Sequence, residues 1–137
     1  MMSTSENEAL VRRFLEEAYN QGNLAVGDEL LAADSIFYTP APIQGIAGWK
    51  QFATAFLMAF PDDLQVTIDD LFAAGDKVAA RWTASGTHKG PLRGIPPSGN
   101  QVKWLGIALY SLSDGKITEV WGLNDALGIM QQIGAIP

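Results

Sequence analysis

At 137 residues with 47% hydrophobic and 18% charged residues, the chain suits one domain, 1–137, whose apolar content calls for a cavity, a subunit interface, or both. A net charge of -6 opposes nucleic acid as a partner, which needs a basic face. The absence of cysteine and the single histidine exclude disulfides, thiolate catalysis and a His-rich metal site, so no metal and no cofactor is expected.

Met1-Met2-Ser3-Thr4-Ser5-Glu6 shows no basic segment followed by an apolar one, and no apolar run approaches the ~20 residues of a membrane span. The expectation is a cytoplasmic protein without a membrane partner. Ser5 and Glu8 have the spacing of a capping box, and Leu10, Phe14 and Ala18 then recur at helical spacing. They predict a helix over about 6–20, ended by Asn20-Gln21-Gly22-Asn23, with a short second helix over about 24–32. Ser35–Thr39 reads as a strand, and Pro40-Ala41-Pro42 breaks it. Trp49, Phe52, Phe56 and Phe60 mark one face of a helix from Ile46 that Pro61 stops.

Leu64, Val66 and Ile68 alternate with polar residues, as in a half-buried strand. The alternation slips at Asp69-Asp70, as a β-bulge would make it. After a turn at Ala74–Lys77, strands are expected over Val78–His88, Gln101–Leu112 and Lys116 to about Leu123. Lys89–Asn100 reads as a loop and Ser113-Asp114-Gly115 as a hairpin turn. A final helix follows Asp125. Segregated helices and an antiparallel meander give an α+β class, with a curved sheet wrapped around three helices.

Several stretches carry a family resemblance: Phe60-Pro61-Asp62, Arg81-Trp82-Thr83, Gly86-Thr87-His88-Lys89-Gly90, Gly94-Ile95-Pro96-Pro97-Ser98-Gly99, and Gly115 to Asp125 closed by Gln131-Gln132-Ile133-Gly134. In this order and spacing they resemble the SnoaL-like polyketide cyclases. That family is a branch of the cone-shaped fold of nuclear transport factor 2 and ketosteroid isomerase. The resemblance implies that cone, a ligand pocket at its wide end, and carbonyl chemistry. Residue by residue the chemistry does not carry over. The aspartate and histidine of the cyclases fall on Gly122 and Ala108. The Asp-Arg-Asp set of the limonene-epoxide hydrolases falls on Thr83, Arg81 and Gly122. The two aspartates of the ketosteroid isomerases fall on Thr39 and Ala108. Thr, Ala and Gly cannot move protons at neutral pH, and an acid–base group typically contributes ~100- to 10,000-fold.

The remaining candidates each have a structural alternative. Arg81, mid-strand with Thr83, would clamp a ligand anion, or else be a paired arginine on the outer face. His88 would be a base at the cavity mouth, or else hydrogen-bond the following loop. Asp125 would be the last carboxylate near the site, or else the N-cap of the final helix. Asn124 would then supply a pocket amide. Tyr38, Trp49 and Trp104 are expected to line the pocket for a flat apolar ligand. Trp82 is expected to face outward, where a second copy would cover it in a homodimer. Two functions follow: a cyclase or isomerase with an unusual base, or a binding protein for a small hydrophobic molecule.

Overall fold

The computed structural model describes residues 2–137; Met1, the first residue of the segment read for a secretory signal, lies outside it. Helix α1 (Thr4–Leu15) runs into a π-helical turn, Glu16–Asn20. Then come α2 (Val26–Leu30), strand β1 (Leu31–Tyr38), a short β2 (Pro42–Gln44) and α3 (Gly45–Ala59). Four long strands follow: β3 (Gln65–Ala74), β4 (Lys77–Thr87), β5 (Gln101–Ser113) and β6 (Lys116–Asn124). Helix α4 (Ala126–Gln132) closes the chain.

The six strands form one sheet in the order β2-β1-β6-β5-β4-β3. Only the β1–β6 pairing is parallel; the other ladders are antiparallel. The class is α+β, as the order of helical and strand patterns predicts. No helix among the described residues is long and apolar enough to cross a membrane.

Local chemistry accounts for most boundaries. The capping box forms two residues earlier than expected, at Ser3 and Glu6 rather than Ser5 and Glu8. Ser3 is extended, its Oγ accepts from Glu6 N–H at 3.1 Å, and Glu6 Oε1 accepts from Ser3 N–H at 3.0 Å. Ser5 is already helical and has no cap to make. Pro40 does break β1, but Pro42 opens β2, which pairs back on Ile36–Tyr38 at the sheet edge. Proline is tolerated there because an edge strand has a free side. The slip in β3 is a register shift between Ile68 and Asp70.

The concave face of the sheet packs on α1 and α3. Phe14 lies against Trp49, ring centroids 4.9 Å apart, and both are buried with Val11, Ala53 and Phe60. Each large apolar side chain so buried contributes about 1.5–3 kcal/mol. Along β4 the inward set is Val78, Ala80, Trp82 and Ala84. Trp82 therefore faces the core, contrary to the sequence expectation. Because neighbours on a strand point to opposite faces, Arg81 and Thr83 must stand outside. The convex face still shows apolar side chains, but others: Leu105, Ile107, Leu109, Phe72 and Trp121 are all exposed.

Candidate functional site

Between α1, α3 and the concave sheet lies a cavity of about 650 Å³, a figure that includes the space at its open mouth. Its wall is mostly rings and aliphatic chains: Phe14, Leu15, Phe37, Phe52, Phe56, Trp82, Trp104 and Val120 among them. The polar groups on it are few. They are the hydroxyls of Tyr19, Tyr110 and Thr39, the amide of Asn124 and the indole N–H groups of Trp82 and Trp104.

Three strands arrange the central polar group. In register, Trp82 of β4 pairs with Gly106 of β5, and Gly106 pairs with Asn124 of β6. Lacking a side chain, Gly106 lets the Trp82 indole lie across β5 and reach Asn124. Trp82 Nε1–H donates to Asn124 Oδ1 at 3.3 Å, and Trp104 Nε1–H donates to the same oxygen at 3.1 Å. An indole N–H only donates, so the atom it meets must be the amide oxygen. The Nδ2 amino group is then the free end of the Asn124 side chain, and it is a donor.

The two phenols are the second polar feature. Tyr110 on β5 has the parity of Trp104 and Ala108, and Tyr19 lies one helical turn beyond Leu15. The Tyr110 hydroxyl has no hydrogen-bond partner among the described residues. The Trp49 indole N–H lies near the Tyr19 hydroxyl, outside hydrogen-bonding geometry, and Tyr110 is a second neighbour. Burial pushes the Tyr19 phenol up to about 12, weakly opposed by Trp49. Burial, and then the neighbouring Tyr19, push Tyr110 up as well. Both are therefore neutral hydroxyls at physiological pH, able to donate a hydrogen bond as well as accept one.

Of the eight residues singled out from sequence, Trp104 and Asn124 are on the cavity wall. Arg81 is a correction: its guanidinium is on the convex face, ion-paired to Asp70 at 2.7 Å with Asp69 at 3.7 Å. Thr83 is another, since its hydroxyl donates to Asp69 Oδ2 at 2.7 Å on that same face. Tyr38 also points outward, stacked on Trp121 with centroids 4.0 Å apart. Trp49 is buried behind the cavity, in the core against Phe14. His88 is fully buried under the 89–100 loop, where its Nδ1 accepts from Ser98 N–H at 3.1 Å. Its backbone joins the same loop, through Asn100 O and Gly99 N–H, both at 2.9 Å. Asp125 caps α4, its carboxylate accepting from Gly128 N–H at 2.9 Å.

The positions that the resemblance singled out behave differently. Thr39, Ala108 and Gly122 do face the cavity, and Ala108 and Gly122 are cross-strand partners. Toward solvent the cavity continues into a mouth that shares Thr39, Phe52, Phe56, Leu123 and Asn124 with it. Leu92 and Arg93 of the long loop and Ala126, Ile129 and Met130 of α4 complete that mouth. Among the described residues Arg93 is the one charged side chain on either wall.

Comparison with known proteins places this cone among its relatives. The sequence matches the family of SnoaL-like polyketide cyclases over residues 9–133. Among solved structures, TsrD from Streptomyces laurentii is 33% identical, with a TM-score of 0.89 over 99% of this chain and 100% of its own. AclR from Streptomyces galilaeus is 28% identical, with a TM-score of 0.89 over 98% of this chain and 100% of its own. A SnoaL-like polyketide cyclase candidate from Jannaschia sp. CCS1 is 27% identical, with a TM-score of 0.88 over 100% of this chain and 99% of its own. No curated protein matches the sequence.

Proposed function

The chain belongs to the SnoaL-like polyketide cyclases, and from that premise we propose that it binds a flat, largely apolar molecule whose carbonyl oxygens are held by the cavity's donors. The observation that carries this reading is the composition of the wall. Rings supply the apolar surface, and the Tyr19 and Tyr110 hydroxyls and the Asn124 amino group can each donate a hydrogen bond to a ligand. A wall of donors selects acceptor oxygens, as on a quinone or a polyketide.

The same wall argues for binding rather than acid–base catalysis. Among the described lining residues there is no carboxylate and no histidine. Ala108 and Gly122 stand where the resemblance puts a histidine and an aspartate. Aldol closure needs a proton taken from carbon and one delivered to oxygen. Phenols raised well above neutrality hold an oxygen by hydrogen bonding but do not act as bases. The cavity is thus a template that folds and shields its ligand. The second reading, a cyclase or isomerase, rests on family membership and requires a base from outside this wall. We also propose that a second copy covers the convex face, where Leu105, Ile107, Leu109 and Trp121 form an uncharged exposed strip.

The test is a pair of fluorescence titrations read through Trp82 and Trp104. Anthraquinone and anthracene share a ring outline, but only the first carries acceptor oxygens. A neutral hydrogen bond is worth about 0.5–1.5 kcal/mol, so the quinone should bind roughly two- to tenfold tighter per bond made. Equal affinity would remove the donors from the account, and no binding of either would remove the ligand site. Fast deuterium exchange at an enolisable carbon of a bound ketone in heavy water would favour the enzyme instead.

A further inference from the structure

We infer that Arg93 is the anion clamp of this site, and that the ligand therefore carries a carboxylate at the end of its ring system nearest the mouth. The inference rests on the reading of the cavity given above and adds the class of ligand to it.

The backbone around Arg93 is tightly determined. Leu92 N–H donates to Ile95 O at 3.0 Å and Ile95 N–H donates to Leu92 O at 2.8 Å, closing a two-residue turn. The two central residues, Arg93 and Gly94, have φ of 49° and 78°. Such a turn with both central φ positive favours Asn, Asp or Gly first, and an arginine there sits in a region that L side chains seldom adopt. Leu92 is buried at 4% exposure and anchors the turn against the mouth. A costly residue, held by a buried anchor at the rim of a cavity, is the pattern expected of a functional position.

Charge supports the same assignment. The chain has 15 Asp and Glu against 9 Lys and Arg, so acidic partners are plentiful. Arg13, Lys50, Arg81 and Lys89 are ion-paired, whereas Arg12, Lys77, Lys103 and Lys116 are in no ion pair among the described residues, and what sets Arg93 apart from those four is its place on the mouth wall. Arg93 is in none of the ion pairs among the described residues, although Asp125 is close by in sequence to the mouth residues Asn124 and Ala126. That carboxylate is engaged in capping α4. The guanidinium fork left free at the mouth matches a carboxylate in two parallel hydrogen bonds. Because mouth and cavity share five residues, one elongated molecule can reach both.

The experiment compares anthraquinone-2-carboxylate with neutral anthraquinone on the parent, Arg93→Gln and Arg81→Gln proteins, by the same Trp fluorescence. On the parent the acid should bind roughly five- to tenfold tighter, since a charged hydrogen bond at a solvated rim keeps only part of its strength. Arg93→Gln should erase that preference and leave the neutral quinone unchanged, while Arg81→Gln should retain it. Added salt should weaken the acid and not the quinone. If the quinone binds and the acid gains nothing, or if Arg93→Gln weakens both alike, the clamp is overturned while the cavity reading stands. If neither binds the parent, both are overturned.

Discussion

Replacing Gly106 with alanine tests how the cavity wall is built. An added Cβ would lie 2.5 Å from Trp82 Cζ2 and closer still to Nε1 and Cε2. Ordinary contact begins at 3.4 Å, so the indole must recede by about 1 Å or more. Trp82 is only 8% exposed, and the one direction open to it is into the cavity. Receding breaks its 3.3 Å hydrogen bond to Asn124 and crowds the wall. Overpacking typically costs about 1–3 kcal/mol and a lost hydrogen bond about 0.5–1.5, so about 2–4 kcal/mol is expected. With m of about 2 kcal/mol/M for a chain of this size, the urea midpoint should fall by about 1–2 M. The sign is diagnostic, because Gly→Ala at an unencumbered position stabilises by about 0.4–1 kcal/mol. Ligand affinity should fall with the stability. An unchanged or higher midpoint, with unchanged ligand affinity, would show that Trp82 does not rest over Gly106.

The remaining predictions concern protons, chemistry and assembly. The fold raises Tyr19 to about 12, so it keeps a proton that the unfolded chain loses near its ordinary value of about 10. The stability this phenol contributes is thus complete below about pH 10 and lost between about 10 and 12, by at most roughly 3 kcal/mol. Urea melts across that range, with the phenolate absorbance of the two buried tyrosines, Tyr19 and Tyr110, rising only as the fold is lost, would bear this out; free titration of these two in the native protein would not. Gly122→Asp, alone or with Ala108→His, should bring measurable deuterium exchange to a bound enolisable ketone. The new Cβ lies 3.1 Å from Ala108 Cβ, tight enough to cost about 1 kcal/mol; a folded variant with no gain in exchange would mean that Gly122 does not stand where the family's acid acts. For assembly, sedimentation should give a dimer for the parent and a monomer for Ile107→Glu, whereas a monomeric parent at micromolar concentration would leave the convex face without a second copy.

What the sequence made legible, and what it hid, follows from strand parity. The bulge at Asp69-Asp70, the cap at Asp125 and the hairpin at Asp114-Gly115 are local events, and local residue chemistry announces them. Which face of β4 meets the helices is not local. Placing Trp82 outside put Arg81 and Thr83 inside, so one choice of parity decided three residues at once. On β5 alternation could not have arbitrated, because Trp104, Ala108 and Tyr110 face in while Leu105, Ile107 and Leu109 face out, and both sets are apolar. Arg93 was out of reach for a different reason: its turn meets the mouth only after the 89–100 loop folds back over the sheet and α4 closes on it. These two failures are connected. The parity that carries Arg81 to the convex face, where Asp70 neutralises it, leaves a cavity wall of donors with no charge of its own. Strands of this sheet then contribute shape and hydrogen bonds to the site. A charge that recognises the ligand has to come from a segment free of the sheet's alternation, and the long loop is the segment that brings one to the mouth.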